Sequence, residues 1–292
     1  QSARLTLSYI ELDTRARHLA AHLRTLGVER GDRIGVLSEN DPDFVVLCIA
    51  ALYLEAAVAT PNPRFSVVEL AHCIRLVTPR VLLVSARQAS RFDDLRSLCA
   101  TVVPMGADTE LDLLLSRSTQ APSLPSPDSD GPEAVQFIMY TSGTTGLPKG
   151  AMISRRAMLA RLQVYVLDYG VDGEDTFVAW SPLCHMASIE LAYGTLLLGG
   201  KVVVMDGADL PAICDLLESE KLSNLIFFPG MVAQTIDYLR QRQPRVRSLK
   251  KFGALADLFA PADIAALTSL LGVHFTNTFV STETGMPPLS AG

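Results

Sequence analysis

The segment Tyr140 to Met152, YTSGTTGLPKGAM, places three glycines, four Ser or Thr residues and one lysine within thirteen positions. Glycine adopts backbone conformations that a Cβ forbids, so main-chain N–H groups and neighbouring hydroxyls can converge on one point. Lys149 adds a positive charge at the end of the segment. This composition suits an anion with several oxygens, such as phosphate. The spacing matches neither the common P-loop nor the G-x-G-x-x-G pattern, and a cluster of this kind taken alone is more often a flexible turn.

The elements around this segment predict where it lies in the fold. Residues 134–140, AVQFIMY, form an apolar run that is typical of a strand buried on both faces. We expect the order strand, loop, helix, with the loop at the carboxyl edge of a parallel sheet, where open α/β folds bind ligands. Further strands are predicted at 201–205, 224–228 and 272–280, and helices at about 191–198, 210–220, 232–241 and 261–271. This alternation predicts an α/β fold with largely parallel sheets.

The N-terminal part of the chain carries clear helix-start signals. Ser8 and Ser66 are each followed three positions later by glutamate, which is the spacing of a capping box. Pro42 follows an aspartate and opens a helix predicted to run through Glu55. Residues near 116–132 are rich in Ser, Pro and Asp without an apolar period, so they are predicted to be a surface linker.

Composition excludes several functional classes. The 292 residues are 49% hydrophobic and carry a net charge of −6 without a long basic run, which argues against nucleic-acid binding. No apolar run reaches the length of about eighteen residues that a membrane span needs. The five cysteines are an odd number and none forms a C-x-x-C pair. They are predicted to be buried thiols in a reducing compartment, so a cytoplasmic location is expected.

The segment YTSGTTGLPKGAM closely resembles the phosphate loop of the adenylate-forming enzymes, which include acyl-CoA synthetases, luciferase-like enzymes and the adenylation domains of peptide synthetases. MISRRAMLA, SPLCHMASIELAYG, KFGALADLFAP and NTFVSTETG resemble further blocks of that superfamily in the same order, across nearly the whole chain. The resemblance implies an α/β fold of stacked, largely parallel sheets flanked by helices. It also implies that residues 1–292 are an incomplete N-terminal adenylation (AMP-binding) domain without the mobile C-terminal domain.

In this superfamily a carboxylate attacks the α-phosphate of ATP, and a thiol then captures the acyl-adenylate. Both reactants of the first step are anions, so the protein must offset their repulsion with backbone donors, a cation and Mg²⁺. The resemblance implies coenzyme A as the thiol, with a carrier-protein thiol as the alternative. Amino-acid-activating relatives carry an aspartate in the block at 184–188, and none is present here. An uncharged fatty or aryl acid is therefore favoured.

The resemblance assigns nucleotide contacts by position. The β- and γ-phosphates, and then the departing pyrophosphate, would be held by Thr141, Ser142, Gly143, Thr144, Thr145, Gly146 and Lys149. The base and ribose would lie against small residues and an aromatic side chain: Gly253, Ala254, Leu255, Phe279 and Val280. Phe279 would stack on adenine, although an isolated phenylalanine is at least as often a residue of a strand core.

The same resemblance implies roles for three polar residues. Glu283 falls on the glutamate that holds Mg²⁺, and Thr282 would contact the α-phosphate. A Thr-Glu pair without this context is usually a solvated turn. His185 lies where the family often has a histidine or aromatic residue beside the carboxylate that is activated, while a lone histidine is more often structural.

Three departures leave a second reading open. Val280 replaces the usual glycine before the Thr-Glu pair, which brings a β-branched side chain close to the expected adenine site. GALAD replaces the more familiar glycine-glycine-alanine-proline run. No match to the Thr-Gly-Asp ribose motif or to the C-terminal catalytic lysine occurs through Gly292. The primary expectation is an acid:thiol ligase whose isolated piece is weakly active or inactive. The alternative is a non-catalytic relative that uses the fold as a binding module.

Overall fold

The structure is a computed structural model that describes residues 5–117, 121–124, 133–141, 146–254, 256–277 and 280–285. The chain divides into two compact units, residues 1–157 and residues 158–292. The described strands form one six-stranded sheet in the first unit and one five-stranded sheet in the second. Among the described residues, no helix combines the length and the apolar character that crossing a bilayer requires.

The first unit is a six-stranded sheet with helices between its strands. Its strands are β1 (Arg33–Leu37), β2 (Ala57–Thr60), β3 (Val81–Ser85), β4 (Val102–Met105), β5 (Val135–Thr141) and β6 (Lys149–Ser154). Its helices are α1 (Tyr9–Thr25), α2 (Pro42–Leu54), α3 (Val67–Val77), α4 (Ala89–Asp93) and α5 (Glu110–Arg117). The spatial order of the strands is β4-β3-β1-β2-β5-β6. Among the described pairs, only β5 and β6 are antiparallel.

Local capping interactions explain where the helices of this unit begin. At α1, the Glu11 N–H donates to the Ser8 Oγ while the Ser8 N–H donates to a Glu11 carboxylate oxygen. Ser66 and Glu69 make the same reciprocal pair at α3, and the Asp41 carboxylate caps α2. Such caps satisfy backbone donors that the helix leaves unpaired, and each contributes about 1 kcal/mol. The predicted helix starts are confirmed.

The predicted order of strand, loop and helix after residue 140 is wrong. The chain returns from the loop as β6, which pairs antiparallel with β5 before helix α6 (Arg155–Tyr169) begins. The segment 142–148 is too short for the crossover that a parallel neighbour needs, whereas a hairpin closes over a short loop. The hairpin also satisfies the backbone groups along one edge of β5.

The second unit contains a parallel five-stranded sheet. Its strands are β7 (Thr176–Ala179), β8 (Lys201–Val204), β9 (Lys221–Ile226), β10 (Ser248–Ala254) and β11 (Phe275–Asn277), in the spatial order β11-β10-β9-β7-β8. Its other helices are α7 (Met186–Leu197), α8 (Leu210–Ser219), α9 (Val232–Arg242) and α10 (Pro261–Leu271). The bounds of α8 to α10 agree with the sequence prediction to within one residue. In contrast, α7 begins five residues earlier than predicted and β9 three residues earlier, and β7 and β10 were not predicted.

Aromatic packing holds the second sheet together. The Phe252 ring, which is almost fully buried, meets Phe227 and Phe275 edge to face, with ring centroids 6.2 Å and 5.5 Å away. These three side chains come from the chain segments of β9, β10 and β11, so they tie adjacent strands into one core. Because β9, β10 and β11 are parallel, their carboxyl ends lie at the same edge of the sheet.

Two further expectations concern the linker and the cysteines. Helix α5 ends at Arg117, so the first two residues of the predicted linker, 116–117, are helical. Residues 121–124 have no regular secondary structure, and the remainder of the linker lies outside the described residues. All five cysteines are buried and form no disulfide, as predicted.

Candidate functional site

The hairpin of β5 and β6 brings the two ends of the glycine-rich loop together. Thr141, the last residue of β5, lies directly opposite Lys149, the first residue of β6. Lys149 is exposed, and Gly146 has a φ of +87°, a left-handed conformation that glycine adopts without strain. The predicted phosphate contacts Ser142, Gly143, Thr144 and Thr145 lie outside the described residues. Thr141, Gly146 and Lys149 are therefore the predicted loop residues whose positions the structure gives.

The base of the hairpin is anchored to α3. The buried Tyr140 hydroxyl donates a hydrogen bond of 2.9 Å to the main-chain oxygen of Cys73, and burial raises the pKa of Tyr140. The His72 Nε2 lies 3.0 Å from the main-chain oxygen of Pro148. A Cβ at Gly150 would approach the Ile138 side chain to 2.9 Å, so a close strand contact favours glycine there. These contacts fix both ends of the loop without using its own side chains.

A groove of about 790 Å³ lies beside this hairpin in the first unit. Its lining is mostly apolar with a few basic side chains: Arg33, His72, Leu76, Val77, Thr78, Ile138, Leu147, Pro148, Lys149, Gly150 and Met152. The Arg33 guanidinium is occupied by main-chain oxygens, since its Nε donates to Val77 at 2.8 Å and its Nη2 to Thr78 at 3.1 Å. Lys149 is therefore the exposed cation of this groove that could face an anionic ligand.

In the second unit, His185 lies at the start of α7. It occupies the N-cap position, makes no side-chain cap hydrogen bond, and is exposed. The start of α7 at Met186, rather than at residue 191, places this histidine at a helix terminus. Several side chains of α7 and of the segment before it are buried: Trp180, Met186, Ser188, Leu191 and Tyr193. The Ser188 hydroxyl is bonded to the main-chain oxygen of Ser181 at 2.9 Å, which is a structural role.

Two of the predicted base and ribose contacts, Gly253 and Ala254, lie at the carboxyl edge of the second sheet. Gly253 pairs with Thr276 of β11, and Ala254, the last residue of β10, pairs with Asn277. This is the edge at which open α/β sheets bind ligands. The predicted contacts Leu255 and Phe279 lie outside the described residues.

Thr282 and Glu283 lie on a tight turn in the second unit. The Gly285 N–H donates to the main-chain oxygen of Ser281 at 2.9 Å, and the Thr284 N–H donates to the Ser281 hydroxyl at 3.1 Å. Gly285 has a φ of +75°, which closes the turn. Glu283 is exposed and Thr282 is partly buried. Val280, just before the turn, is 37% exposed.

A buried ion pair supports this turn. The Arg161 Nη1 donates to a Glu190 carboxylate oxygen at 3.0 Å, and the two side chains are only 6% and 5% exposed. The Arg161 Nη2 donates to the main-chain oxygen of Thr282 at 2.6 Å. Burial raises the pKa of Glu190, an effect that the neighbouring Arg161 partly offsets. Arg161 thus connects α6, α7 and the turn.

Sequence reasoning did not assign a role to Arg161 or Glu190. Glu190 is the one charged residue between His185 and Lys201 in the sequence. A carboxylate inside an apolar helix requires a cationic or hydrogen-bonding partner. That signal predicts only that a partner exists, because the partner, Arg161, lies 29 positions away on another helix.

The donor set at the turn fits magnesium better than a metal held by protein alone. Among the described residues, no group of three or more His, Cys, Asp or Glu side chains could hold a metal ion. Mg²⁺ is often bound by one or two carboxylates together with substrate phosphates and water, and it needs no such cluster. The exposed Glu283 carboxylate can supply one ligand of that kind.

Comparison with known proteins identifies the class of protein. The sequence model of the AMP-binding enzymes matches residues 2–289, and the chain belongs to that family. A feruloyl-CoA synthase from Amycolatopsis sp is 29% identical over 278 residues, which cover 95% of this chain and 54% of the relative. A 4-coumarate:CoA ligase from Petunia hybrida is 29% identical over 238 residues, which cover 77% of this chain and 43% of the relative. The chain thus spans about half the length of these curated relatives.

Solved structures share the same fold. The crystal structure of a putative long-chain-fatty-acid CoA ligase from Rhodopseudomonas palustris superposes with a TM-score of 0.84 at 22% identity, covering 97% of this chain and 71% of the other. The inhibitor-bound N-terminal domain of FACL13 from Mycobacterium tuberculosis also gives a TM-score of 0.84, at 21% identity, covering 96% of this chain and 70% of the other. The predicted fold class of largely parallel sheets flanked by helices is confirmed.

Proposed function

We propose that the chain is part of an ATP-dependent acid:thiol ligase, which activates a carboxylic acid as an acyl-adenylate and transfers the acyl group to coenzyme A. In this proposal, residues 1–292 are the first portion of an N-terminal adenylation domain. The observation that carries the proposal is the hairpin of an AMP-binding family member in which Thr141 faces Lys149 across a glycine-rich loop. That geometry places an exposed cation at one end of a pair of antiparallel strands.

The loop would hold the triphosphate. Transfer of the adenylyl group from ATP leaves pyrophosphate, on which negative charge increases as the bond to the α-phosphate breaks. Lys149 and the N–H groups of the loop would stabilise that charge. The attacking oxygen belongs to the substrate carboxylate, so the protein supplies orientation and charge rather than a covalent nucleophile.

The turn at Ser281–Gly285 would contribute at the α-phosphate. In this proposal, the Thr282 hydroxyl would contact the α-phosphate and Glu283 would hold Mg²⁺. Bound Mg²⁺ would neutralise negative charge on the phosphates and thereby favour attack by an anion. His185, exposed at the start of α7, would lie next to the substrate carboxylate and donate a hydrogen bond to it.

The acid is proposed to be uncharged apart from its carboxylate. The block from Cys184 to Ser188 contains no acidic side chain that could pair with an ammonium group, and the next one, Glu190, is already paired with Arg161. Relatives named as feruloyl-CoA synthase and 4-coumarate:CoA ligase support an aryl acid as the first class to test. Fatty acids are the second class.

The test is ATP-pyrophosphate exchange by the protein that carries this chain, with hydroxycinnamic, benzoic, medium-chain and long-chain fatty acids supplied one at a time. The proposal predicts exchange that depends on one class of acid and on Mg²⁺. In a second stage, coenzyme A and a phosphopantetheinylated carrier protein are supplied separately as acyl acceptors. Acyl transfer to the carrier protein alone would show that the carrier protein, and not coenzyme A, is the acceptor. A panel of amino acids serves as the control, and no ATP-pyrophosphate exchange is expected with any of them.

One observation favours a second candidate function. Val280 is 37% exposed directly before the turn, where the family usually has glycine, and its β-branched side chain would narrow a nucleotide site there. A chain that has lost ATP binding would serve as a non-catalytic binding module. Absence of exchange with every acid, together with absence of MgATP binding, would support this candidate. Restored MgATP binding in V280G would show that the Val280 side chain prevents nucleotide binding.

A further inference from the structure

Arg161 is buried at a position where its charge must have a structural or functional reason. The guanidinium is 6% exposed, and it reaches two acceptors that belong to different elements, the Glu190 carboxylate on α7 and the main-chain oxygen of Thr282. A buried ion pair is weak support for stability, since the desolvation of two charges can exceed their attraction. A hydrophobic pair of the same size would pack the two helices equally well. The bond to Thr282 is the contact that such a pair would lose.

The turn is shaped around the guanidinium. A Cβ built on Gly285 would lie 2.9 Å from the Arg161 Nη1, 3.0 Å from its Cζ and 3.1 Å from its Cγ. The guanidinium therefore packs directly against the backbone at the end of the turn. It also donates a hydrogen bond of 2.6 Å to the main-chain oxygen of Thr282, near the centre of the turn. Contacts at two points fix the orientation of the segment between them. That segment contains Glu283.

The charge of Arg161 is matched by Glu190. One Glu190 oxygen accepts the Arg161 hydrogen bond, and the other, Oε1, is buried without a hydrogen-bond partner in the described part of the chain. Among the hydrogen bonds that the structure describes, the Glu190 carboxylate therefore accepts from Arg161 alone. It holds one edge of the guanidinium, which leaves Nη2 directed at the turn. The planar fork of arginine suits this arrangement, because its donors have fixed directions that a lysine ammonium lacks.

We propose that Arg161, held by Glu190, is a positioning residue that fixes the turn at Ser281–Gly285 so that Thr282 and Glu283 face the phosphates and Mg²⁺. This inference rests on the proposed function, in which the turn binds MgATP. Arg161 does not touch the nucleotide in this role. It acts through the main chain of Thr282.

The first experiment measures the turn itself and needs no nucleotide. Amide hydrogen exchange is measured without ligand in three proteins: the unaltered protein, R161A and the control variant R156A. Arg156 lies on the same helix but is 68% exposed and pairs with the exposed Glu133, so its removal leaves the turn untouched. R161A should exchange the amides of the turn at least about tenfold faster, since a charge-assisted hydrogen bond is lost. Equal exchange in all three proteins would overturn the proposal.

The second experiment measures nucleotide binding by calorimetry with Mg²⁺ and with EDTA. R161A should bind MgATP roughly 10-fold to 100-fold more weakly, with a much smaller loss for metal-free ATP, because the contact supports the residue that binds the metal. R156A should bind both forms as the unaltered protein does. Guanidinium ions at millimolar concentration should restore part of the MgATP affinity of R161A, while sodium ions at the same ionic strength should not.

A paired variant guards against simple loss of folding. R161A leaves a buried carboxylate without its partner, which can destabilise the protein. R161M/E190M removes both charges and keeps similar volume, so it should fold and still lose the Mg²⁺-dependent part of ATP binding. A folded double variant with normal MgATP affinity would overturn the role of Arg161. If the unaltered protein binds no MgATP, the proposed function is refuted instead, and this outcome is visible before any variant is made.

Discussion

Replacement of Lys149 by alanine tests the assignment of the phosphate loop. Lys149 is the first residue of β6, is exposed and lies opposite Thr141, so truncation of its side chain should leave the hairpin intact. We expect the free energy of unfolding to change by less than about 0.5 kcal/mol, as is usual for surface substitutions. Binding of ATP should change far more, because the ammonium group would lose its contact with the β- and γ-phosphates.

The expected size follows from the type of contact. A hydrogen bond to a charged group contributes about 1.5–3 kcal/mol, which corresponds to roughly a 10-fold to 100-fold change in affinity. The exposure of Lys149 favours the lower end of this range, because solvent screens the charge. AMP lacks the β- and γ-phosphates, so its affinity should fall by less than about threefold. The loss for ATP should shrink as salt is raised.

Isothermal titration calorimetry of ATP and AMP measures both effects in the same protein. K201A is the matched control, since Lys201 is also the exposed first residue of a strand, β8, and pairs with Glu220 rather than with the loop. It should bind both nucleotides normally. Equal loss of ATP and AMP affinity in K149A, or no loss of either, would refute the assignment of Lys149 to the terminal phosphates.

Three further predictions follow from other parts of the structure. G285A should loosen the turn and weaken MgATP binding at least about tenfold. A Cβ at this position would lie 2.9 Å from Arg161, and alanine is strained at a φ of +75°. A normal affinity for MgATP in calorimetry would contradict this prediction. Cys73 should resist iodoacetamide at pH 8 in the native protein and react after unfolding, as mass spectrometry can show, because burial raises its pKa to about 12. E220Q should lower the free energy of unfolding at neutral pH by less than about 1 kcal/mol, because the hydrogen bond from Lys201 lowers the pKa of Glu220 below its ordinary value of 4.5. A carboxyl group with a lowered pKa stabilises the fold above its unfolded pKa and loses that effect as pH falls through the folded pKa. Urea titrations should therefore show the E220Q difference shrink as pH falls below the ordinary carboxyl pKa of 4.5.

Features that depend on a few neighbouring residues could be predicted from the sequence. The capping boxes at Ser8 and Ser66 and the Asp41 cap involve contacts within three positions, and the structure contains all three. The helices α8 to α10 were also predicted closely, because their apolar periods are bounded by local start and stop signals. The fold class followed from the same alternation of strands and helices.

Features that depend on distant partners could not be predicted. Strand β6 looked like the beginning of a helix because Lys149–Ser154 has no strand signal of its own, and pairing with β5 decides its conformation. The start of α7 was placed too late because His185 is not a common N-cap residue. Arg161 and Glu190 are 29 positions apart in sequence, so their contact requires the packed structure.

The candidate site likewise contains features that could be predicted from the sequence and features that depend on distant partners. Residue types in the loop indicated phosphate, and the hairpin that closes the loop is a feature that only the structure supplies. The roles of Lys149, His185, Thr282 and Glu283 stay predictions that rest on the resemblance to the family. Their positions at a strand start, a helix start and a tight turn give each role a specific test.

A crystal structure of the MgATP complex would show where the triphosphate binds. We expect the β- and γ-phosphates to lie within about 3 Å of the Lys149 ammonium group and of main-chain N–H groups of residues 142–146, which is hydrogen-bond distance. A triphosphate bound at another place, with no contact to Lys149 or to that loop, would contradict it.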